Sequence, residues 1–368
     1  MTPATTFQGA RLSMARHLRG LTQSELAERA GLSVQFISKL ESEERSPSPE
    51  ALSALAFSLG FGPQFLQRPI REAVTEETCH LRSRRSTPRR LKREIRYRAV
   101  LLLEIVGLIE QRVRLPAIAF PHISGEGGPE GIEAAAQKLR VAWGVAVDAP
   151  LGNLTRLIES KGAVVSSIHG TSRDVSAFSA NPARPIIIRS SAIASASRNR
   201  FDLAHECGHL VMHRDIVTGD RATEGEADRF AGALMFPRSA VRREYGPRGY
   251  VDWDAIFLLK QRWGMSAAAL VRRIWDTGCI SYGHYRRANI AIRTKGWHLG
   301  EPFEPPPEQP ELLKRAMAMM ESRAPGSVAG MATQLGCPLE DLKIVLPEGA
   351  VPVRHDQREA PVLRMDLD

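Results

Sequence analysis

Cysteine is scarce: four in 368 residues, at positions 79, 207, 279 and 337, with no Cys-x-x-Cys pair. That scarcity excludes a disulfide framework and a zinc ribbon, and reduced thiols are expected. Long apolar runs are also missing. The longest, Ala99 to Ile109, covers eleven residues and is interrupted by Glu104, whereas a membrane span needs about 20. It reads as a buried helix. Met1 to Phe7 carry neither a basic start nor an apolar block, so no secretory signal and no membrane partner are expected, and a cytoplasmic location is. With 24 Pro and 29 Gly the chain is too poor in both for low-complexity or collagen-like structure. What remains is an ordinary globular composition, 43% hydrophobic and 25% charged, spread over more residues than one core usually spans. Two or three domains are expected.

Charge is the first positive signal. The net charge of +9 is uneven: from His80 to Arg98 there are nine Lys or Arg against one acid, Glu94. Such a run suits a solvated helix face, or an arm contacting phosphates if a DNA-reading element lies nearby.

Residues 11 to 66 read as short helices. Thr22-Gln23-Ser24-Glu25 is a capping box, with Leu26, Ala27 and Ala30 facing inward. Gly31 breaks the chain, and Ser33 can cap a second helix from Val34 to Leu40 with Ile37 and Leu40 inside. Ser48 and Pro49 start another, which Gly60 and Gly62 end. Two short helices across a glycine turn, with amide and basic side chains outward, suit a major groove, where Gln can pair with adenine and Lys with guanine. Leu21 to Ser33, followed by Ile37-Ser38-Lys39-Leu40-Glu41, resembles the Cro/C1-type helix-turn-helix of the XRE family. The resemblance implies base contacts by Val34, Gln35, Ser38 and Lys39, phosphate contacts by Gln23 and Arg45, an internal Arg16–Glu41 pair, and dimers on paired half-sites.

The basic segment and the helix Ala99 to Leu115 lead through a Pro/Gly-rich junction into a second unit. Helical spacing recurs over Gly131 to Val145 and Leu151 to Lys161. Short apolar or alternating runs follow at Ala163 to Val165, Val175 to Ala180 and Ile186 to Ile188, which read as strands of a small sheet. His205-Glu206-Cys207-Gly208-His209 comes next. Two His four apart on a helix lie about 6 Å apart along its axis, so both imidazoles can reach one cation. Glu206, beside the first, is placed to handle a proton of water. A later helix bears Glu224, Glu226 and Asp228. Glu224 as third ligand with Asp228 orienting an imidazole meets the needs of a catalytic zinc, which keeps one position open. Glu226 remains a competing ligand. His213 is expected outside the ligand set and Cys207 in packing.

Residues 130 to 300 resemble the ImmA/IrrE family of zinc metallopeptidases. The likeness lies in the His-Glu-x-x-His site, Arg200-Phe201-Asp202-Leu203-Ala204 before it, Glu224 to Ala231 after it, and the stretch from Asp252 to Trp297. It implies a zincin-like α+β domain, zinc on His205, His209 and Glu224, catalysis by Glu206, and an endopeptidase that cuts a transcription repressor. By residue type zinc is preferred, although manganese or iron suits the same donors. An extended substrate is expected to add to a sheet edge, with Val175 to Ala180 as the candidate. Residues 301–310 read as a proline linker and 311–368 as a small helical segment, disordered over its last dozen residues.

The organisation expected is thus multi-domain: an all-α helix-turn-helix domain (1–70), a basic linker and helix (71–129), the α+β metallopeptidase domain, and the C-terminal helices. The function expected is an operator-binding regulator with an endopeptidase acting in cis or trans. The alternative is a non-proteolytic or antitoxin-like regulator in which the same domain is a sensor or scaffold.

Overall fold

A computed structural model describes residues 6–351 apart from 71–73, 76–78, 84–88, 126, 169–174, 181–182, 192–193 and 215. The expected C-terminal disorder falls outside the described residues, as do Arg84 and Arg85 of the basic run.

Five helices come first: α1 Gly9–Leu18, α2 Gln23–Ala30, α3 Val34–Glu41, α4 Pro49–Leu59 and α5 Pro63–Leu66. Strand β1 (Cys79–Ser83) precedes α6 (Arg89–Glu110), α7 (Gly128–Ala142) and α8 (Leu154–Ser160). Strands β2 (Val164–Ile168), β3 (Val175–Ala180) and β4 (Ile186–Ser190) follow, then α9 (Ala196–Met212) and α10 (Arg221–Met235). The remaining helices are α11 (Arg238–Glu244), α12 (Trp253–Trp263), α13 (Ala267–Asp276), α14 (Tyr282–Thr294), α15 (Leu312–Arg323) and α16 (Ser327–Leu335).

Local chemistry sets the first helices. Thr22 and Glu25 close a reciprocal capping box on α2, Ser33 accepts from Phe36 N on α3, and Ser48 with Pro49 starts α4. Gly31 ends α2 with φ 65°, a left-handed conformation that costs a side-chain-bearing residue about 1–2 kcal/mol. Helix α6 begins ten residues before Ala99 because Leu91 and Ile95 extend its apolar stripe onto the core, while Glu94 and Arg98 pair one turn apart. It stops at Glu110, short of Leu115.

The sheet is the frame of the molecule. Its strand order is β1-β3-β4-β2, antiparallel except for the parallel β2–β4 pair. Alternation then divides the interior into two cores. Val164, Phe178, Ala180, Ile186 and Ile188 join α1 to α6, α15 and α16 in one, whereas Val165 and Ile187 join α7 to α14 in the other. Both faces are covered, which is why β4 is apolar at consecutive positions.

Two expectations are corrected here. Val175 to Ala180 does form a strand, but it is interior: β1, drawn from the basic segment, pairs antiparallel with it and takes the edge. Charge dominates that segment and hides its strand character from a periodicity test. The proline stretch 301–310 is likewise no free linker. Glu308 accepts from Leu154 N and Thr155 N and pairs with buried Arg200, and Glu301 and Glu304 both hold the buried Lys260 ammonium. The segment beyond it is built into the first core through Leu313, Met317, Met331 and Leu335, and Asp341 binds Arg19 at 2.6 Å. Removing one partner of a buried pair strands the other charge. Glu308→Ala is therefore expected to lower unfolding stability by about 3–5 kcal/mol in urea titration; a loss under about 1 kcal/mol would show that the stretch is not held by this pair.

Candidate functional site

Helix α9 carries the chemistry through the centre of the second core. Ser195 caps it by accepting from Arg198 N, and its second half is buried without a break from Asp202 to Met212. A helix so enclosed holds its side chains in single positions. Gly208, between the two His, lets α10 approach: a Cβ there would lie 3.2 Å from the Phe230 ring and 3.3 Å from Ala227 Cα. Helix α10 starts on Asp220, whose carboxylate accepts from Ala222 N and Thr223 N, and so delivers Glu224 in its first turn.

The three expected ligand residues come together. His205 Nε2 and His209 Nε2 are 3.1 Å apart, and each lies 3.4 Å from a different oxygen of Glu224. Donors about 2.0–2.2 Å from a tetrahedral zinc ion stand about 3.3 Å from one another. The observed spacings match that edge length. Glu224 Oε1 is buried without a hydrogen bond, an unsatisfied state that a cation relieves. Burial, the largest influence, pushes His209 down to about 3, so its imidazole is neutral as a ligand must be. Burial alone would raise the Glu224 carboxyl, but the two imidazoles outweigh it and hold the group below the usual carboxylate range.

Behind these atoms, two relays fix the rings. His205 Nδ1 lies 2.8 Å from Asp228 Oδ1. His209 Nδ1 lies 2.8 Å from His213 Nδ1, and His213 Nε2 lies 2.9 Å from Glu226 Oε2. Glu226 thus reaches the relay rather than the cation position, because two residues of helix, two steps of about 100°, turn its face away from that of Glu224. Asp228→Asn is expected to weaken zinc binding about 10–100-fold in chelator competition; unchanged affinity would remove Asp228 from the site.

Glu206 is fully buried and accepts from Ser179 Oγ at 2.6 Å. Ser179 lies on β3 and nothing in the sequence pattern marks it, since a serine in a short alternating strand has no chemical signature of its own. Equally unmarked are His80, stacked on His209 with ring centroids 5.1 Å apart and planes at 14°, and Thr218, 3.0 Å from His80 Nδ1. Cys207 packs in the second core, and burial pushes its thiol far above the ordinary range. It is no thiolate ligand.

Among the N-terminal helices, α3 presents Val34, Gln35, Ser38 and Lys39 outward, with Arg45 exposed just beyond. Ile37 and Leu40 anchor its inner side. Arg16 grips Glu41 with two bonds, 2.6 and 2.8 Å, as expected. The Gln23 amide nitrogen donates to Glu41 at 2.9 Å, tying α2 to α3.

The fold and the two sites are those of a helix-turn-helix domain joined to a metallopeptidase-like domain. Residues 12–66 match the helix-turn-helix family model HTH_3, and residues 158–274 match the IrrE N-terminal-like domain, Peptidase_M78. A search of the curated proteins found no match. No helix among the described residues is long and apolar enough to cross a membrane.

Proposed function

We propose that this protein is an operator-binding transcription regulator whose second half is a zinc-dependent endopeptidase acting on a helix-turn-helix repressor, in cis or in trans. The observation that carries it is the convergence of His205, His209 and Glu224 at tetrahedral-edge spacing beside Glu206. A bound zinc ion supplies Lewis acidity toward a peptide carbonyl and acidifies water. The chain's own residues do the rest. Ser179 holds Glu206 in one orientation, from which its carboxylate takes a proton from the attacking water and returns it to the departing amine. Asp228 and the His213–Glu226 pair keep the ligand rings in place. On the DNA side Val34, Gln35, Ser38 and Lys39 read base edges, Arg45 and Gln23 contact phosphates, and two copies occupy paired half-sites in the cytoplasm.

A second function, sensing without proteolysis, is favoured by a cleft of about 1010 Å³ away from the His cluster, lined by Arg189, Asn199, Lys314 and Arg315 among others. Its size suits a small ligand. Turnover separates the two. Zinc-loaded protein is incubated with helix-turn-helix repressors, itself included, and products are sought by mass spectrometry. Products absent with Glu206→Gln support the peptidase; no Glu206-dependent product, even from protein in which residues 79–83 are released from β3, leaves the sensor.

A further inference from the structure

His205, Glu206 and His209 are each 0% exposed, although a peptidase must admit a peptide to such groups. On the sheet side α9 packs on β3 and β4, and β1, at the outer edge of β3, reaches the cluster through His80. Register places His80 opposite Ser179, the residue that orients Glu206, and the pleat puts His80 and Ser179 on the face toward α9. Cys79, Phe178 and Ala180 belong to the core on the other face. The His80 ring is stacked on His209 and is latched to Thr218 in the connection from α9 to α10. From its place in the chain, β1 is an addition to this site. It precedes β3 by three helices and strand β2, pairs among the described residues with β3 alone, ends in a register shift at Arg82/Ser83, and lies outside the residues matched by the metallopeptidase-like model.

We infer that the outer edge of β3 is the peptide-binding edge of the metal centre, and that residues 79–83 are its removable occupant from the same chain. This rests on the proteolytic function proposed above and names the ligand class: an extended peptide adding antiparallel to β3 by main-chain hydrogen bonds. Because His80 lies flat on His209, a competing strand is selected for an imidazole or aromatic ring at that position. While β1 stays, no foreign strand reaches Glu206. When it leaves, the exposed edge accepts one.

Cys79 and Ala180 are register partners, and Cα atoms of antiparallel partners lie within the span of a disulfide. Full-length Ala180→Cys therefore provides a tether that closes on oxidation, with Cys79→Ser in the same background as its control. Leu81→Pro removes a strand N–H and frees β1. The probe is a fluorescein-labelled peptide with the sequence of residues 76–86, followed by anisotropy; casein cleavage is read in parallel. Leu81→Pro is expected to bind the peptide at least tenfold tighter than wild type, and oxidised Ala180→Cys at least tenfold more weakly than the reduced form. Equal binding by oxidised and reduced protein overturns the inference, and that comparison decides alone if Leu81→Pro does not fold. Casein cleavage at one rate in both redox forms also overturns it while sustaining the peptidase. Peptide binding in the expected order without casein cleavage sustains the occupied edge, and cleavage of repressor substrates then decides the peptidase.

Discussion

Glu206→Gln is expected to retain zinc at one equivalent while lowering peptide cleavage about 10³-fold, within the usual contribution of a positioned proton-transfer group. Glutamine has nearly the volume of glutamate, and its carbonyl oxygen still accepts the Ser179 hydroxyl, so the buried position is filled and bonded as before. What it loses is basicity. The ligand set is untouched, because Glu206 bonds to Ser179 while the cation position is framed by His205, His209 and Glu224. The measurement compares product formation and metal content of the two proteins, both also carrying Leu81→Pro so that the β3 edge is open. Equal rates would show that hydrolysis, if present, does not use this carboxylate. Loss of zinc together with rate would move Glu206 from proton transfer to structure.

The second large effect is on DNA. Gln35→Ala with Lys39→Ala is expected to reduce specific affinity about 10²–10³-fold, since a good base-edge pairing is worth about 1–3 kcal/mol. Stability should change by less than about 0.5 kcal/mol for each exposed residue. Both side chains project from α3 into solvent, whereas Ile37 and Leu40 hold the helix from below. Operator duplexes selected from a random pool by the wild type serve for titration at several salt concentrations. Arg45→Ala provides the contrast, weakening all duplexes alike and reducing the salt slope by about one. Undiminished affinity of the double variant, with an unchanged slope, would place the groove-reading surface elsewhere.

Much of this was legible from local rules. Thr22, Ser33 and Ser48 announce helix starts because their oxygens satisfy backbone N–H groups within three residues, an interaction that needs no distant partner. The spacing of His205 and His209 places two imidazoles together for the same reason, the helix being its own scaffold. Glu224 was harder, since a ligand from another helix depends on how α9 and α10 pack, and Gly208 and Ala227 at their contact decide that. Helix rotation shows that Glu224 and Glu226 face different ways, but which of them meets His205 and His209 and which meets His213 needed the fold.

The sequence by itself determined the helix caps, the exposed face of α3, and the pairing of His205 with His209, because each is settled by contacts within a few residues of chain. Only the tertiary structure decided that β3 is interior, that residues 301–310 are fastened by Glu304 and Glu308, and that Ser179 and His80 lie beside the cluster of His205, His209 and Glu224. Those features join residues far apart in the chain, and sheet register, unlike helix spacing, is set by which strand arrives beside which.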